Sequence, residues 1–215
     1  MVPVPRLYTI LDSACFSSVQ ALAAAAEELT WAGVTLIQYR DKSENARQIL
    51  EQGRELRRRV DAHVSQKKQD MQPPVRLIMN DRADLALIAG FDGVHVGQDD
   101  LSPESVRKII GPDHWLGVST HNPAQVAEAD KTSADYLAIG PVFATSSKEK
   151  PDPVVGLEGV RKARQLTRKP LVAIGGITRA NAASVIEAGA DSVAVISDLL
   201  ADPGKSAEEF FRILR

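Results

Sequence analysis

Short apolar segments rich in Val, Ile and Leu recur along the chain, and each is followed by residues with helical apolar spacing. They span residues 6–11, 34–39, 75–79, the end of the stretch 77–100, 115–118, 135–139, 170–174 and 191–196. Strands that alternate with helices pair in parallel, because each crossover helix returns the chain to the same edge of the sheet. Eight such units in 215 residues predict an α/β protein with a single closed (β/α)8 barrel, one domain over residues 1–215. A doubly wound open sheet competes, but it usually carries a glycine-rich turn after the first strand, and TILDSACF has none.

Local signals place the helices. Residues 17–31 suit an amphipathic helix, and Ser43 is a candidate cap for a long one running to about residue 64. Ser102, Pro103 and Gly111 read as cap, first helical position and stop of another. Pro123 opens a short helix, and Thr178 can cap one that ends near Ala188. Residues 140–155 form the longest irregular segment. Arg54, Arg57, Arg58 and Arg59, interleaved with Glu51 and Glu55, read as a solvated helix face.

Composition limits the partners. A net charge of −2 and a pI near 6.1 give no general attraction to nucleic acid or an anionic membrane. No run approaches the roughly 18 apolar residues of a membrane span, and MVPVPRLYTI lacks an apolar leader core, so a soluble, cytoplasmic protein is expected. The single cysteine, Cys15, excludes an intrachain disulfide and has no surroundings that favour a nucleophile.

In a barrel of this kind, function belongs at the C-terminal ends of the strands. The stretch LIMNDRADLALIAGFDGVHVGQDD (77–100) reads as two strands bracketing a helix, the first running into Asn80 and Asp81 and the second into Asp99 and Asp100. Asp81 and Asp100 can thus lie side by side, as oxygen ligands of a hard cation do, although either acid alone would also serve as a loop or cap residue. Gln38 and Arg40 fall on one face of their strand and Ile37 and Tyr39 on the other. An inward Gln and Arg are costly without a ligand to satisfy them; the alternative is that Arg40 pairs with Asp41 or another surface acid. Lys42, Ser119, His121, the run Thr145-Ser146-Ser147-Lys148, Gly175, Gly176, Ile196 and Ser197 extend the set of strand-end residues. The glycines suit a backbone phosphate cradle or a simple turn, and the hydroxyls with Lys148 suit a second, more highly charged phosphate. Two anionic ligands and one Mg2+ would account for these groups. The four histidines show no nucleophile and orienting partner around them, so no catalytic triad is expected.

IQYRDKS at 37–43, NDRADLAL at 80–87, GVHVGQDDL at 93–101, GVSTHN at 117–122, GPVFATSSK at 140–148 and AIGGI at 173–177 together resemble the thiamine-phosphate synthase family over nearly the whole length. The resemblance implies a TIM barrel and a transferase that joins 4-amino-5-hydroxymethyl-2-methylpyrimidine diphosphate to a thiazole phosphate, releasing diphosphate. It implies Mg2+ on Asp81 and Asp100, and diphosphate contacts from Arg40, Lys42, Asn80 and Lys148. It further implies pyrimidine placement by Gln38 and Ser119, and a thiazole phosphate held by Thr145, Ser147, Gly176, Ile196 and Ser197. Ser147 stands where the family often has threonine, and the 149–155 segment is longer and could serve as a lid. Two other readings stay open: a thiazole tautomerase, with His121 as acid or base, and a non-catalytic sensor of phosphates from the same pathway. The oligomeric state is not legible.

Overall fold

The computed structural model describes residues 3–66, 73–145 and 152–215. Its strands are β1 (Leu7–Asp12), β2 (Leu36–Arg40), β3 (Arg76–Asn80), β4 (Gly93–Val96), β5 (Trp115–Thr120), β6 (Tyr136–Ile139), β7 (Leu171–Ile174) and β8 (Ser192–Val195). They pair in parallel in sequence order, and β8 returns to β1 with Leu7 opposite Val193, so the expected eight-stranded barrel closes. The intervening helices are α1 (Val19–Trp31), α2 (Ala46–Gln66), α3 (Ala83–Ala89), α4 (Pro103–Ile110), α5 (Pro123–Asp130), α6 (Gly156–Leu166) and α7 (Ala182–Glu187); α8 (Pro203–Ile213) closes the ring. No helix among the described residues is long and apolar enough to cross a membrane.

Period-two alternation divides the strand side chains between two cores. Leu11, Ile37, Tyr39, Leu77, Met79, Val94, Leu116, Leu137, Leu171 and Val193 face the helices and form the larger apolar layer. Tyr8, Ile10, Leu36, Ile78, Trp115, Tyr136, Ala138, Val172 and Ala194 fill the barrel itself. That interior is aromatic and partly polar, with Gln38 and His95 buried inside it, rather than the uniform Val, Ile and Leu usual in such barrels.

Several helix starts differ from expectation. Asn45, not Ser43, caps α2, its Oδ1 accepting from the Gln48 amide at 3.1 Å. Ser43 lies two residues earlier, where its amide donates to Asp41 Oδ1 at 2.7 Å and its hydroxyl is also bonded to the Asp41 carboxylate, so its side chain does not cap the helix. Residues 178–181 form a tight turn in which Asn181 Oδ1 accepts from the Thr178 amide at 2.8 Å, and α7 starts only at Ala182. Ser102, Pro103 and Gly111 flank α4 as expected, and Asp202 caps α8, which sequence reasoning did not assign.

The N-terminal rim carries a motif that repeats every two units. Asp92, Asp135 and Asp191 precede β4, β6 and β8, and their Oδ2 atoms accept from the amides of Leu77, Leu116 and Leu171 at 2.8, 2.7 and 2.8 Å. Each aspartate amide donates in return to that leucine's carbonyl at 2.8 Å. Each carboxylate also meets an arginine from the helix that precedes the leucine's strand: Arg57 of α2 at 3.0 Å, Arg107 of α4 at 2.6 Å and Arg164 of α6 at 2.7 Å. Arg57 is therefore not part of a merely solvated face. Hydrogen bonds to charged groups each contribute about 1.5 to 3 kcal/mol. Asp135→Ala, which strands the Leu116 amide and Arg107, is expected to lower stability by about 2 to 3 kcal/mol. Urea unfolding followed by circular dichroism measures this, and turnover of the folded variant should stay near the parent's, since the opposite rim carries the strand-end polar groups.

Candidate active site

The opposite end of the barrel opens into a cavity whose floor is Ile10, Ala138, Val172, Ile174 and Ala194 and whose walls are polar. Gln38, Arg40, Asn80, Ser119, His121, Thr145, Gly176, Ile196 and Ser197, all singled out in the sequence, line it. Lys42, Asp81 and Asp100 stand at the rim instead, where Lys42 Nζ meets Asp81 Oδ2 at 2.6 Å and the Asp81 and Asp100 carboxyls are within hydrogen-bonding reach. Ser147 and Lys148 lie outside the described residues.

Arg40 is held by an acid that sequence reasoning missed. Its guanidinium pairs with Asp12, a buried carboxylate at the end of β1 directly opposite Arg40 in the β1–β2 register, and not with Asp41. Asp12 also accepts from the Ala14 amide at 3.1 Å, so the carboxylate is fixed before it fixes the arginine. The signal was available: Asp12 is a strand-end acid like Asp81 and Asp100. Cys15 is exposed nearby, and burial together with the Asp12 charge pushes its thiol up, away from nucleophilic use.

Asp81 adopts a left-handed conformation with φ of 61° while its amide donates to the His95 carbonyl at 2.8 Å. Burial pushes its carboxyl above the ordinary aspartate range; Lys42 pulls it down and neighbouring Asp100 pushes it up again. Asp100 Oδ2 in turn accepts from the Gly97 amide at 2.7 Å. Beside this pair, Asn80 Nδ2 is buried and has no hydrogen-bond partner. An orphaned donor next to two converging carboxylates is an unfinished polar site, one that an oxyanion and a cation together would complete. Among the described residues no three His, Cys, Asp or Glu side chains cluster as metal ligands. A cation here would take two carboxylates and fill its shell with waters and substrate oxygens, which is the habit of Mg2+.

Gly175 and Gly176, with φ of 99° and 62°, sit where Val142 and Phe143 donate their amides to the Ile174 and Gly175 carbonyls at 2.8 and 3.0 Å. A Cβ on Gly175 would overlap Pro141, and one on Gly176 would overlap Phe143 and Ala144. The pair is thus required by close packing of the loop after β6 as well as by conformation. His121 is tethered: Nδ1 donates to the Gly140 carbonyl at 2.6 Å and Nε2 lies 3.4 Å from Asp152.

The expectation that no histidine has an orienting partner is overturned by His95. Its Nε2 lies 2.8 Å from Ser119 Oγ and its Nδ1 3.1 Å from Tyr136 OH, inside the barrel. His95 sits between Val94 and Val96 in β4, so its inward direction follows from alternation alone. Burial pushes the phenols of Tyr8 and Tyr136 well above the usual tyrosine range, which keeps both as hydroxyls.

A carboxyl whose folded pKa is raised favours the fold below its unfolded pKa, and that contribution is lost as pH rises through the folded value. At neutral pH the Asp81 charge therefore costs stability. Asp81→Asn keeps a side chain tolerant of the left-handed backbone, and it is expected to raise the Tm of the substrate-free protein by about 2 °C or more at pH 7. The gain should shrink as pH falls below the Asp81 titration; scanning calorimetry across a pH series checks it, and a lower Tm at pH 7 would contradict it.

The model of the family described as thiamine monophosphate synthase matches residues 7–199. The chain is 58% identical over 214 residues to the thiamine-phosphate synthase of Koribacter versatilis, covering 98% of this chain and 96% of that one. It is 42% identical over 196 residues to the thiamine-phosphate synthase of Chloroflexus aurantiacus, covering 91% and 85%. Among solved structures, the thiamine phosphate pyrophosphorylase of Pyrococcus furiosus superposes with a TM-score of 0.80 at 34% identity, covering 97% of this chain and 95% of that one. The chain belongs to the thiamine monophosphate synthase family and is an enzyme with that activity.

Proposed function

We propose that the enzyme joins 4-amino-5-hydroxymethyl-2-methylpyrimidine diphosphate to a thiazole phosphate by a dissociative route in which the C–O bond breaks before the C–N bond forms. The single observation that carries this reading is the orphaned Asn80 Nδ2 beside the Asp81–Asp100 pair, a donor and a cation site converging on one anionic group. The C–O electron pair leaves with the diphosphate, the pyrimidine methylene becomes cationic, and the thiazole nitrogen lone pair closes the new bond. Mg2+ on Asp81 and Asp100 would supply charge stabilisation of the leaving diphosphate. Arg40, braced by Asp12, and Lys42 at the rim face the same anion, and Asn80 donates to it. Lys148 and Ser147 are assigned to the diphosphate and the thiazole phosphate from sequence alone. Gln38 and Ser119 place the pyrimidine over the apolar floor, where Ile10, Val172 and Ile174 exclude water from a cation that water would trap. Thr145, Gly176, Ile196 and Ser197 hold the thiazole phosphate at the far wall. The step releases no proton that demands a strong general base. Engagement of both His121 ring nitrogens weighs against the tautomerase alternative.

Purified protein mixed with both substrates and Mg2+ should form thiamine phosphate and diphosphate in equal amounts, and chelation by EDTA should stop it reversibly. Ligand binding without product would favour the sensor reading instead. Asp81→Ala and Asp100→Ala are each expected to reduce kcat by at least about 100-fold. Lys148→Ala should raise KM for the pyrimidine diphosphate more than for the thiazole phosphate; steady-state kinetics with each substrate varied in turn separates the two.

A further inference from the structure

Across the barrel interior a chain of buried side chains passes one hydrogen bond to the next. Gln38 Nε2 donates to Tyr8 OH at 2.8 Å, and the Tyr8 and Tyr136 hydroxyls are 2.9 Å apart. Tyr136 OH meets His95 Nδ1 at 3.1 Å, and His95 Nε2 meets Ser119 Oγ at 2.8 Å. The ends of the chain, Gln38 and Ser119, are the residues assigned to the pyrimidine; they line the cavity, as do Tyr8 and His95 between them. Its three middle members have no role in the reaction as described so far. Their rings fill the barrel core, but filling it needs no hydroxyl or imidazole, and Gly117 makes room for them: a Cβ there would overlap both Tyr136 and His95.

The chain has one polarity. A phenol has a single proton and donates once. Tyr8 accepts from Gln38 and therefore gives its own proton to Tyr136; were Tyr136 to donate to Tyr8 instead, the buried Tyr8 proton would be left without an acceptor in the chain. Tyr136, having accepted, donates to Nδ1 of His95. With one proton on the ring, that proton resides on Nε2 and goes to Ser119 Oγ. Ser119 thus receives a hydrogen bond from behind, and its own hydroxyl proton is turned outward into the cavity.

We propose that Tyr8, Tyr136 and His95 are positioning residues whose fixed-polarity hydrogen-bond relay makes Ser119 an obligate donor toward the leaving-group end of the pyrimidine substrate. The proposal rests on the synthase reading of the site. With the opposite polarity Ser119 would present lone pairs to an oxygen that is gaining negative charge. A donor aimed at developing charge acts on the transition state more than on the ground state, so the relay bears on kcat and little on KM.

Tyr136→Phe removes one hydroxyl and keeps the ring. It is expected to lower kcat about tenfold or more while KM for the thiazole phosphate stays within about twofold. In 15N spectra of the substrate-free protein, with the His95 signals assigned by their loss in His95→Gln, His95 should show a pyrrole-type Nε2 and a pyridine-type Nδ1. Tyr136→Phe should mix the two tautomers, which a merely structural hydroxyl would not do. His95→Gln places an amide donor near the Nε2 position, so in that background Tyr136→Phe should cost no further kcat. A proton on Nδ1 in the parent protein, an unchanged kcat in Tyr136→Phe, or multiplying effects in the double variant would each overturn the relay. If the parent forms no thiamine phosphate, the synthase reading fails, while the ring spectra still decide the polarity of the chain.

Discussion

A closed parallel barrel turns every second strand residue into a confined interior, and a polar group buried there must find its partners chiefly among other interior groups. That constraint governs this protein. Gln38, Tyr8, Tyr136 and His95 are all buried within a ring of eight strands, and each is satisfied by the next. A partly satisfied network in low dielectric would be worse than an apolar core, so the members stand or fall together. Their volume has consequences for the neighbours: β5 passes the cluster at Gly117, and Trp115 packs edge-on against Tyr136 with ring centroids 6.5 Å apart. The small apolar floor of Ala138, Val172 and Ala194 then lies above a layer that is already full.

The two ends of the barrel divide stability from chemistry. At the N-terminal rim, three aspartates each join a strand amide to a helix arginine, so each of those carboxylates is both hydrogen-bonded and ion-paired. At the C-terminal rim the accounts are left open: Asn80 Nδ2 is orphaned, Asp81 holds a left-handed backbone, and its carboxyl is raised by burial next to Asp100. Local features of that sort are unfavourable in the free protein and persist where the surrounding structure over-determines them. Here β3 and β4 do so, through the Asp81 amide on the His95 carbonyl. His95, whose side chain belongs to the proposed relay, thus also anchors Asp81 through its backbone carbonyl.

Much of this was legible in the sequence, and the failures have physical causes. Alternation of apolar strands with helices, with eight repeats and no glycine fingerprint, led to the barrel; the period of two sent Gln38 and Arg40 inward. Strand-end chemistry found most of the cavity wall. It missed Asp12 because the acid stands alone in TILDSACF and its cationic partner Arg40 is on the next strand, and it missed His95 because a histidine between two valines reads as part of an apolar run. Tyr8 and Tyr136 look like ordinary strand residues, and only the closed geometry brings positions 128 apart in sequence within hydrogen-bonding distance. The caps expected at Ser43 and Thr178 failed for a local reason: each is engaged in a turn closed by a nearby Asp or Asn, and the helix waits for the next competent residue. Arg57 was set aside as one of several arginines on a polar helix, since the carboxylate that recruits it, Asp92, lies on another unit.

The distribution of charge fits the proposed chemistry better than any single residue does. Formal charges gather at the rim, on Lys42, Asp81 and Asp100, with Arg40 already balanced by Asp12. Beneath them the barrel offers phenols held well above their usual titration range, an imidazole and an amide, which act through oriented dipoles. A reaction that separates charge wants this arrangement. On the proposed route the departing anion would meet cations and donors at the rim, from which it could leave. On the same route the cationic pyrimidine would rest over largely apolar groups that do not trap it. A relay of neutral hydroxyls can turn a donor toward the anion without bringing a second positive charge against the cation, which a lysine or arginine in place of His95 would do.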